Sequence, residues 1–387
     1  MLLLIAPAPL LQIEPGRWAL EEKFASGMKL HCEAWPGKVR VLLRRPVGFQ
    51  AGDSLPDTEG WFELALMEPG QPPEPAHLRG ASVICASADM HELYGLPALI
   101  ERPAQKLVYA VEYPLETQLQ ILRLDRQMGV LRKLRSAVWH LGQERRRRQA
   151  FRVADGVQAN GWPAAESYGG LNANLLMYLD GRMTADLFAT PEDMATRAER
   201  LRSGAPLRIV HSGRLEPLKG AQDLLPFARA LRALGVDFTL DIYGDGSLAE
   251  GVRQGLADPG LQGRVRLHRP VPFRSGLVPI LRREADLFLS CHRQSDPSCS
   301  YIEAMGCGLP VGGYDNRMWR GLLGESGAGL LVPMGRYAAL AAGIAGWDRD
   351  REDLIAKASA ALTYAQAHGF EQEFGLRMQQ LRALKAG

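Results

Sequence analysis

Arg214 and Lys219 stand five residues apart in HSGRLEPLKG, residues 211–220, with Gly213 and Gly220 on either side. A guanidinium offers a planar fork of donors and an ammonium a mobile point charge. Together they suit the oxygens of a diphosphate. The stretch follows the apolar run LRIV and precedes the helical pattern AQDLLPFARALRALG. The free N–H groups and dipole of a helix start therefore add to the same anion site. Neither the GxxxxGK[ST] loop nor the GxGxxG turn of other phosphate sites is present here.

Two further constellations lie downstream. IYGDGS, 242–247, closes a strand pattern on Gly244 and Gly246. Glycines there permit close backbone approach, either of a ligand base or sugar or of the chain itself in a plain turn. In SCHRQSDPSCSYIEAMGCGLPVGGYDN, 290–316, an apolar strand runs into small polar residues, Ser295, Ser298, Cys299 and Ser300. A helix then opens with Glu303 in its first turns. An ionised carboxylate accepts both hydroxyl hydrogens of a ribose diol, and backbone N–H groups at 298–300 can reach phosphate. A plain dipole preference for acidic residues near helix starts is the alternative for Glu303.

The elements that position these residues alternate. Strand patterns at 1–8, 39–43, 61–67, 81–87, 106–113 and 156–160 precede a clearer βαβα order from 206 onward, with 17–34 read as a helix. The expected architecture is α/β, with mostly parallel sheets covered on both faces. Ligands bind at the C-terminal ends of such strands, where all three constellations fall. The 387 residues exceed one ordinary core, so two domains are expected, 1–190 and 191–365. A helix at 366–387 is expected to cross back to the first.

The chain resembles the retaining glycosyltransferases of family 4. The family's GRLxxxKG element stands here as GRLEPLKG, its GxG as Gly244-Asp245-Gly246, and its EAMxxGxPVV as EAMGCGLPVGG, 303–313. The resemblance is specific over about 205–335. It implies the GT-B fold, two facing Rossmann-like α/β domains with a cleft between them, and transfer of a sugar from a UDP- or GDP-sugar with no tightly bound cofactor or metal. Arg214 and Lys219 would bind the diphosphate and Glu303 the ribose. Gly213, Gly244, Gly246, Ser298, Cys299 and Ser300 would line the donor site. Relatives carry a second glutamate eight positions before the ribose residue. Here that position is Ser295, with Asp296 beside it, so either Asp296 substitutes or the carboxylate is missing. In the first domain Glu112, after a central strand, is the candidate acceptor-side residue and His91 a second. Gly27 is either a close-approach glycine or a surface helix glycine. The implied acceptor is a glycan, a lipid-linked sugar or a small molecule, in cell-surface polysaccharide or glycoconjugate synthesis. A nucleotide-sugar epimerase and a non-catalytic binding subunit are the alternatives.

The formal charge of +3 does not argue for nucleic acid as a partner, and no aromatic platforms are interleaved with the cations as nucleic-acid binding would need. Residues 118–152 are the local exception, with ten Lys/Arg against two Asp/Glu, net +8. Leu131, Leu134, Val138 and Leu141 recur there at helical spacing beside Trp139. That pattern reads either as a solvated basic helix or as one lying on an anionic membrane face. No apolar run approaches the ~20 residues of a membrane helix. The five cysteines show no CxxC spacing and read as reduced thiols. The expected location is cytoplasmic, with peripheral attachment to the inner face of the cell membrane as an option.

Overall fold

The computed structural model describes residues 1–50, 53–125, 128–295 and 298–386. Asp296 therefore lies outside the described residues. The chain divides into two compact units: Met1–Leu115, Val130–Tyr178 and Phe374–Gly387 in one, Glu116–Gly129 and Leu179–Glu373 in the other. The chain passes from the first unit to the second at Tyr178/Leu179. Glu116–Gly129 belongs with the second unit despite its place in the sequence.

The first unit carries strands β1 (Leu2–Ile5), β2 (Leu10–Glu14), β3 (Arg17–Leu20), β4 (Val39–Arg44), β5 (Glu63–Met67), β6 (Val83–Ser87), β7 (Lys106–Val111), β8 (Gly156–Asn160) and β9 (Leu175–Tyr178). Seven form one parallel sheet in the order β5-β4-β1-β6-β7-β8-β9. Burial on both faces explains their continuous apolar runs. Leu3 and Ile5 point into one core with Ile84, Leu107 and Tyr109. Leu2 and Leu4 point into the other with Val41, Val83 and Val108. Burying each such side chain stabilises the fold by roughly 1.5–3 kcal/mol.

Residues 17–34 are not one helix. β2 and β3 form an antiparallel hairpin around Pro15-Gly16, with Gly16 at φ 75°, and the helix occupies only Glu22–Ala34. A left-handed glycine after proline suits a tight reversal of the chain, which helical spacing alone does not reveal.

The second unit holds β10 (Leu207–Ser212), β11 (Phe238–Tyr243), β12 (Val265–His268), β13 (Leu287–Ser290), β14 (Val311–Tyr314) and β15 (Gly329–Val332). All are parallel, in the order β12-β11-β10-β13-β14-β15. The chain winds outward from β10, returns to lie beside it as β13, and winds out on the other side. The direction of winding reverses between β10 and β13, which makes their C-terminal ends the switch point where open α/β sheets bind ligands. In the first unit the same reversal falls between β1 and β6.

Arg197 is 4 % exposed and ties the rear of the second unit together. Its guanidinium donates to the carbonyls of Leu281, Arg282, Ala285, Cys307 and Gly308.

Candidate nucleotide-sugar site

The loops after β10 and β11 form one body. Gly213 N–H donates to Tyr243 O at 3.0 Å, Leu215 N–H to Asp245 O at 2.8 Å, and Leu248 N–H to Leu215 O at 2.9 Å. Ser247 donates its backbone N–H at 2.9 Å and its hydroxyl at 2.5 Å to the Glu216 carboxylate. Those hydrogen bonds hold the Glu216 carboxyl below its usual range. A Cβ on Gly244 would lie 2.0 Å from Gly213 O, and one on Gly246 2.8 Å from Leu215 O. The close approach these glycines permit is thus to the 213–216 loop.

On the other side the loop crosses the chain leaving β13. Arg293 N–H donates to Leu218 O at 2.9 Å. Gly220 is left-handed at φ 72°, and a Cβ there would lie 1.8 Å from Cys291 O. Asp223 locks the crossing. It receives Arg293 through both oxygens at 2.6–3.0 Å and the Tyr314 hydroxyl at 3.0 Å.

Lys219 is 8 % exposed, whereas Arg214 is exposed. Arg214 lines a cavity of about 350 Å³ with Ser212, Gly213, Tyr243, Gly244 and Asp245. Beside Lys219 lie two buried imidazoles, His211 and His292, that no local motif marks. His211 shares a hydrogen bond between Nδ1 and Leu289 O at 3.0 Å, and its Nε2 has no partner. His292 has no partner at either ring nitrogen and meets Tyr301 edge-on at 5.3 Å. Burial and the neighbouring Lys219 charge push both below the usual imidazole range, His211 to about 4. Both are therefore neutral at physiological pH, each with a ring nitrogen unused.

Glu303 lies in the helix Ser300–Gly306 and is 3 % exposed. Arg182 clasps it, Nε to Oε1 at 2.7 Å and a terminal nitrogen to Oε2 at 3.0 Å. The Arg182 guanidinium lies 3.9 Å from the Phe273 ring centre. Each carboxylate oxygen keeps a further lone pair after one such bond, so Glu303 is oriented rather than used up. No local signal marks Arg182, because its partner is 121 residues away. Ser298 and Ser300 share a hydroxyl hydrogen bond at 2.8 Å at the helix start; Cys299 O receives Glu303 N–H at 2.9 Å.

Ser295 is buried and structurally committed. Its N–H donates to Gln120 at 2.8 Å, its carbonyl accepts Thr117 Oγ1 at 2.6 Å, and its hydroxyl accepts Arg317 N–H at 3.3 Å. Gln120 and Thr117 come from the helix Leu115–Leu124. Those bonds explain why this stretch of the N-terminal half belongs to the second unit.

In the first unit Glu112 follows β7, but the group that organises this strand end is Asp89, after β6. Asp89 receives the N–H groups of Glu112 and Tyr113, each at 3.1 Å. Burial pushes its carboxyl up to about 6, against the lowering effect of these hydrogen bonds and of Arg147. His91 sits apart, its ring 5.2 Å from Trp139. Gly27 lies within its helix, with nothing within 4 Å of a built Cβ.

The folded state holds the Asp89 proton more tightly than the unfolded chain, so the contribution is full below about pH 4 and is lost as pH rises through about 6. That difference corresponds to about 3 kcal/mol. Urea titrations at pH 5 and pH 7.5 are expected to show the first unit losing about half of that amount between the two, the other half being already lost by pH 5. Asp89→Asn is expected to flatten the dependence.

Among the described residues no group of three or more His, Cys, Asp or Glu is placed to hold a metal ion. No helix among them is long and apolar enough to cross a membrane.

Residues 206–349 match the family described as Glycosyl transferases group 1. The 2-deoxystreptamine N-acetyl-D-glucosaminyltransferase of Streptomyces fradiae is 32 % identical over 145 residues, 36 % of this chain and 34 % of that protein. The match thus spans about a third of that relative's length. Likeness in fold extends over the whole chain. Sucrose-phosphate synthase from Thermosynechococcus elongatus superposes with a TM-score of 0.68 at 16 % identity, covering 100 % of this chain and 99 % of that one. Anabaena HepE in complex with UDP gives 0.64 at 18 %, covering 100 % of both chains. WaaG, a glycosyltransferase involved in lipopolysaccharide biosynthesis, gives 0.63 at 13 %, again covering 100 % of both. The chain has the GT-B fold, and its second unit is related to the glycosyl transferases of group 1.

Proposed function

We propose that this protein transfers a sugar from a nucleoside diphosphate to an acceptor hydroxyl, with retention at the anomeric carbon. The observation that carries the reading is the set of groups at one switch point: buried Lys219, the unused nitrogens of His211 and His292, and an oriented, buried Glu303. The diphosphate gains negative charge as the anomeric bond breaks. Fixed cations and dipoles where that charge develops lower the barrier most. Arg214 and Lys219 take the phosphates, Glu303 the ribose hydroxyls, and the cavity beside Tyr243 the base. The acceptor hydroxyl attacks from the face the diphosphate leaves, and a departing phosphate oxygen takes its proton. Ser295 accepts the Arg317 N–H and offers the donor sugar no carboxylate from its position. Asp296 remains the candidate for that contact and Glu112 for the acceptor side.

The HepE structures with UDP and UDP-glucose, and the N-acetylglucosaminyl transfer named for the Streptomyces fradiae relative, support a UDP-sugar donor, with UDP-N-acetylglucosamine the first to test. The acceptor classes are a glycan, a lipid-linked sugar and a small polyol or aminocyclitol, handled in the cytoplasm.

A panel of UDP- and GDP-sugars is expected to raise the melting temperature of the wild type. Glu303→Ala is expected to weaken binding about tenfold or more through the lost ribose contact. Turnover with an acceptor panel, read as glycosylated product, completes the assignment. A free epimer as product would indicate epimerisation, and donor binding with no product on any acceptor would indicate a binding subunit. No nucleotide sugar raising the melting temperature would overturn the site itself.

A further inference from the structure

The helix Val130–Val153 in the first unit wears its apolar residues outward. Val130, Leu131, Leu134, Val138 and Leu141 follow helical spacing on one face. Their exposures are large: 83 % for Leu131, 63 % for Leu134, 61 % for Val138 and 53 % for Leu141. A surface helix ordinarily turns such a stripe to the core. Here the buried positions are Glu144, Arg147, Ala150 and Phe151, in the C-terminal part of the helix. Arg147 is consumed there by Glu144 and by Tyr113 O. The N-terminal part projects its stripe to solvent.

Exposed arginines surround that stripe. Arg132 and Arg135 flank it, and Arg145 and Arg146 continue it. Residues 126–143 contain no Asp or Glu. Trp139, 45 % exposed, stands at the edge with its ring against His91 at 5.2 Å, which fastens the helix to the body of the unit.

We infer that this face rests on an anionic lipid surface. Apolar side chains enter the boundary between headgroups and acyl chains, while the arginines meet lipid phosphates and anionic headgroups and the tryptophan sits at headgroup level. Charge excludes a second copy as the favoured cover. Two such faces would bring four exposed arginines, Arg132 and Arg135 from each copy, together with no carboxylate from 126–143 to offset them. An anionic bilayer offers the opposite sign. Binding through this helix requires no nucleotide sugar, so it stands or falls apart from the reading of the second unit.

The test is flotation of the full-length protein with vesicles of phosphatidylcholine alone and of phosphatidylcholine mixed with phosphatidylglycerol. The protein is expected on the mixed vesicles at low salt and free at high salt. Leu131→Gln/Leu134→Gln/Val138→Gln is expected to abolish flotation. These positions are solvent-exposed, so the melting temperature is expected to stay unchanged. Each of Arg132→Gln and Arg135→Gln is expected to lower partition about fivefold. Equal flotation on both vesicle types, or none on either, overturns the inference. So does a wild-type dimer in solution that the triple substitution converts to monomer.

Discussion

Lys219→Ala is expected to lower kcat/KM for the nucleotide-sugar donor by roughly a hundred- to a thousandfold, the range seen when one preorganised group is removed from a developing oxyanion. The size follows from position. Lys219 is 8 % exposed, held by the turn Pro217–Lys219 and by Gly220 directly after it. Its charge acts where water screens little. The neighbouring imidazoles are neutral, so they offer dipoles but no replacement charge. Arg214 is exposed, and Arg214→Ala is expected to cost less than Lys219→Ala. Steady-state kinetics with donor titration, with melting curves as a check on folding, decide the matter. Unchanged kcat/KM in Lys219→Ala would remove the diphosphate assignment. A rise in KM alone would mean that Lys219 binds ground state and transition state equally.

The second large effect is expected from Gly220→Ala. A left-handed alanine costs about 1–2 kcal/mol by itself. Here the added carbon would also sit 1.8 Å from the Cys291 carbonyl oxygen, a backbone atom with no rotamer to escape into. Forcing atoms into a packed site typically costs a further 1–3 kcal/mol, so the unfolding transition of the second unit is expected to lose about 3 kcal/mol or more. Donor binding is expected to fail as well, because the 211–220 loop can no longer lie against 291–293. Gly27→Ala is the matched control. It sits in a helix with nothing within 4 Å, and alanine there is expected to stabilise by about 0.5–1 kcal/mol. Chemical denaturation of both variants compares them directly. A tolerated Gly220→Ala would show that the crossing is looser than its geometry.

The groups that bear charge toward the donor were legible because their motif is local. Arg214, Lys219 and Glu303 lie in short stretches whose strand–loop–helix context the apolar pattern also marks. The purpose of Gly244 and Gly246 was half legible: close approach was readable, but its target, the 213–216 carbonyls, is set by tertiary packing. Arg182, Asp89, His211 and His292 were not singled out. Each acquires its meaning from a neighbour or an absence of neighbours that no local spacing encodes. The stripe at 131–141 shows a third limit. Periodicity establishes that a helix has an apolar face, but the direction in which that face points depends on what the rest of the unit leaves uncovered. Ser295 shows the converse: where the family pattern has a carboxylate, its hydroxyl accepts Arg317 N–H, while the bonds that hold the helix Leu115–Leu124 come from its backbone and do not depend on the side chain.

That helix has a consequence for how the protein can be taken apart. The polypeptide changes unit after Leu115, Gly129, Tyr178 and Glu373, so the two units are laced rather than strung in series. A cut at 190 would deprive the C-terminal fragment of Thr117 and Gln120, leaving the Ser295 backbone without those partners, and would strip the N-terminal fragment of the helical residues from Phe374 onward. Neither piece is a portable cassette. Domain exchange with a relative would have to transplant an N-terminal splint along with the C-terminal body.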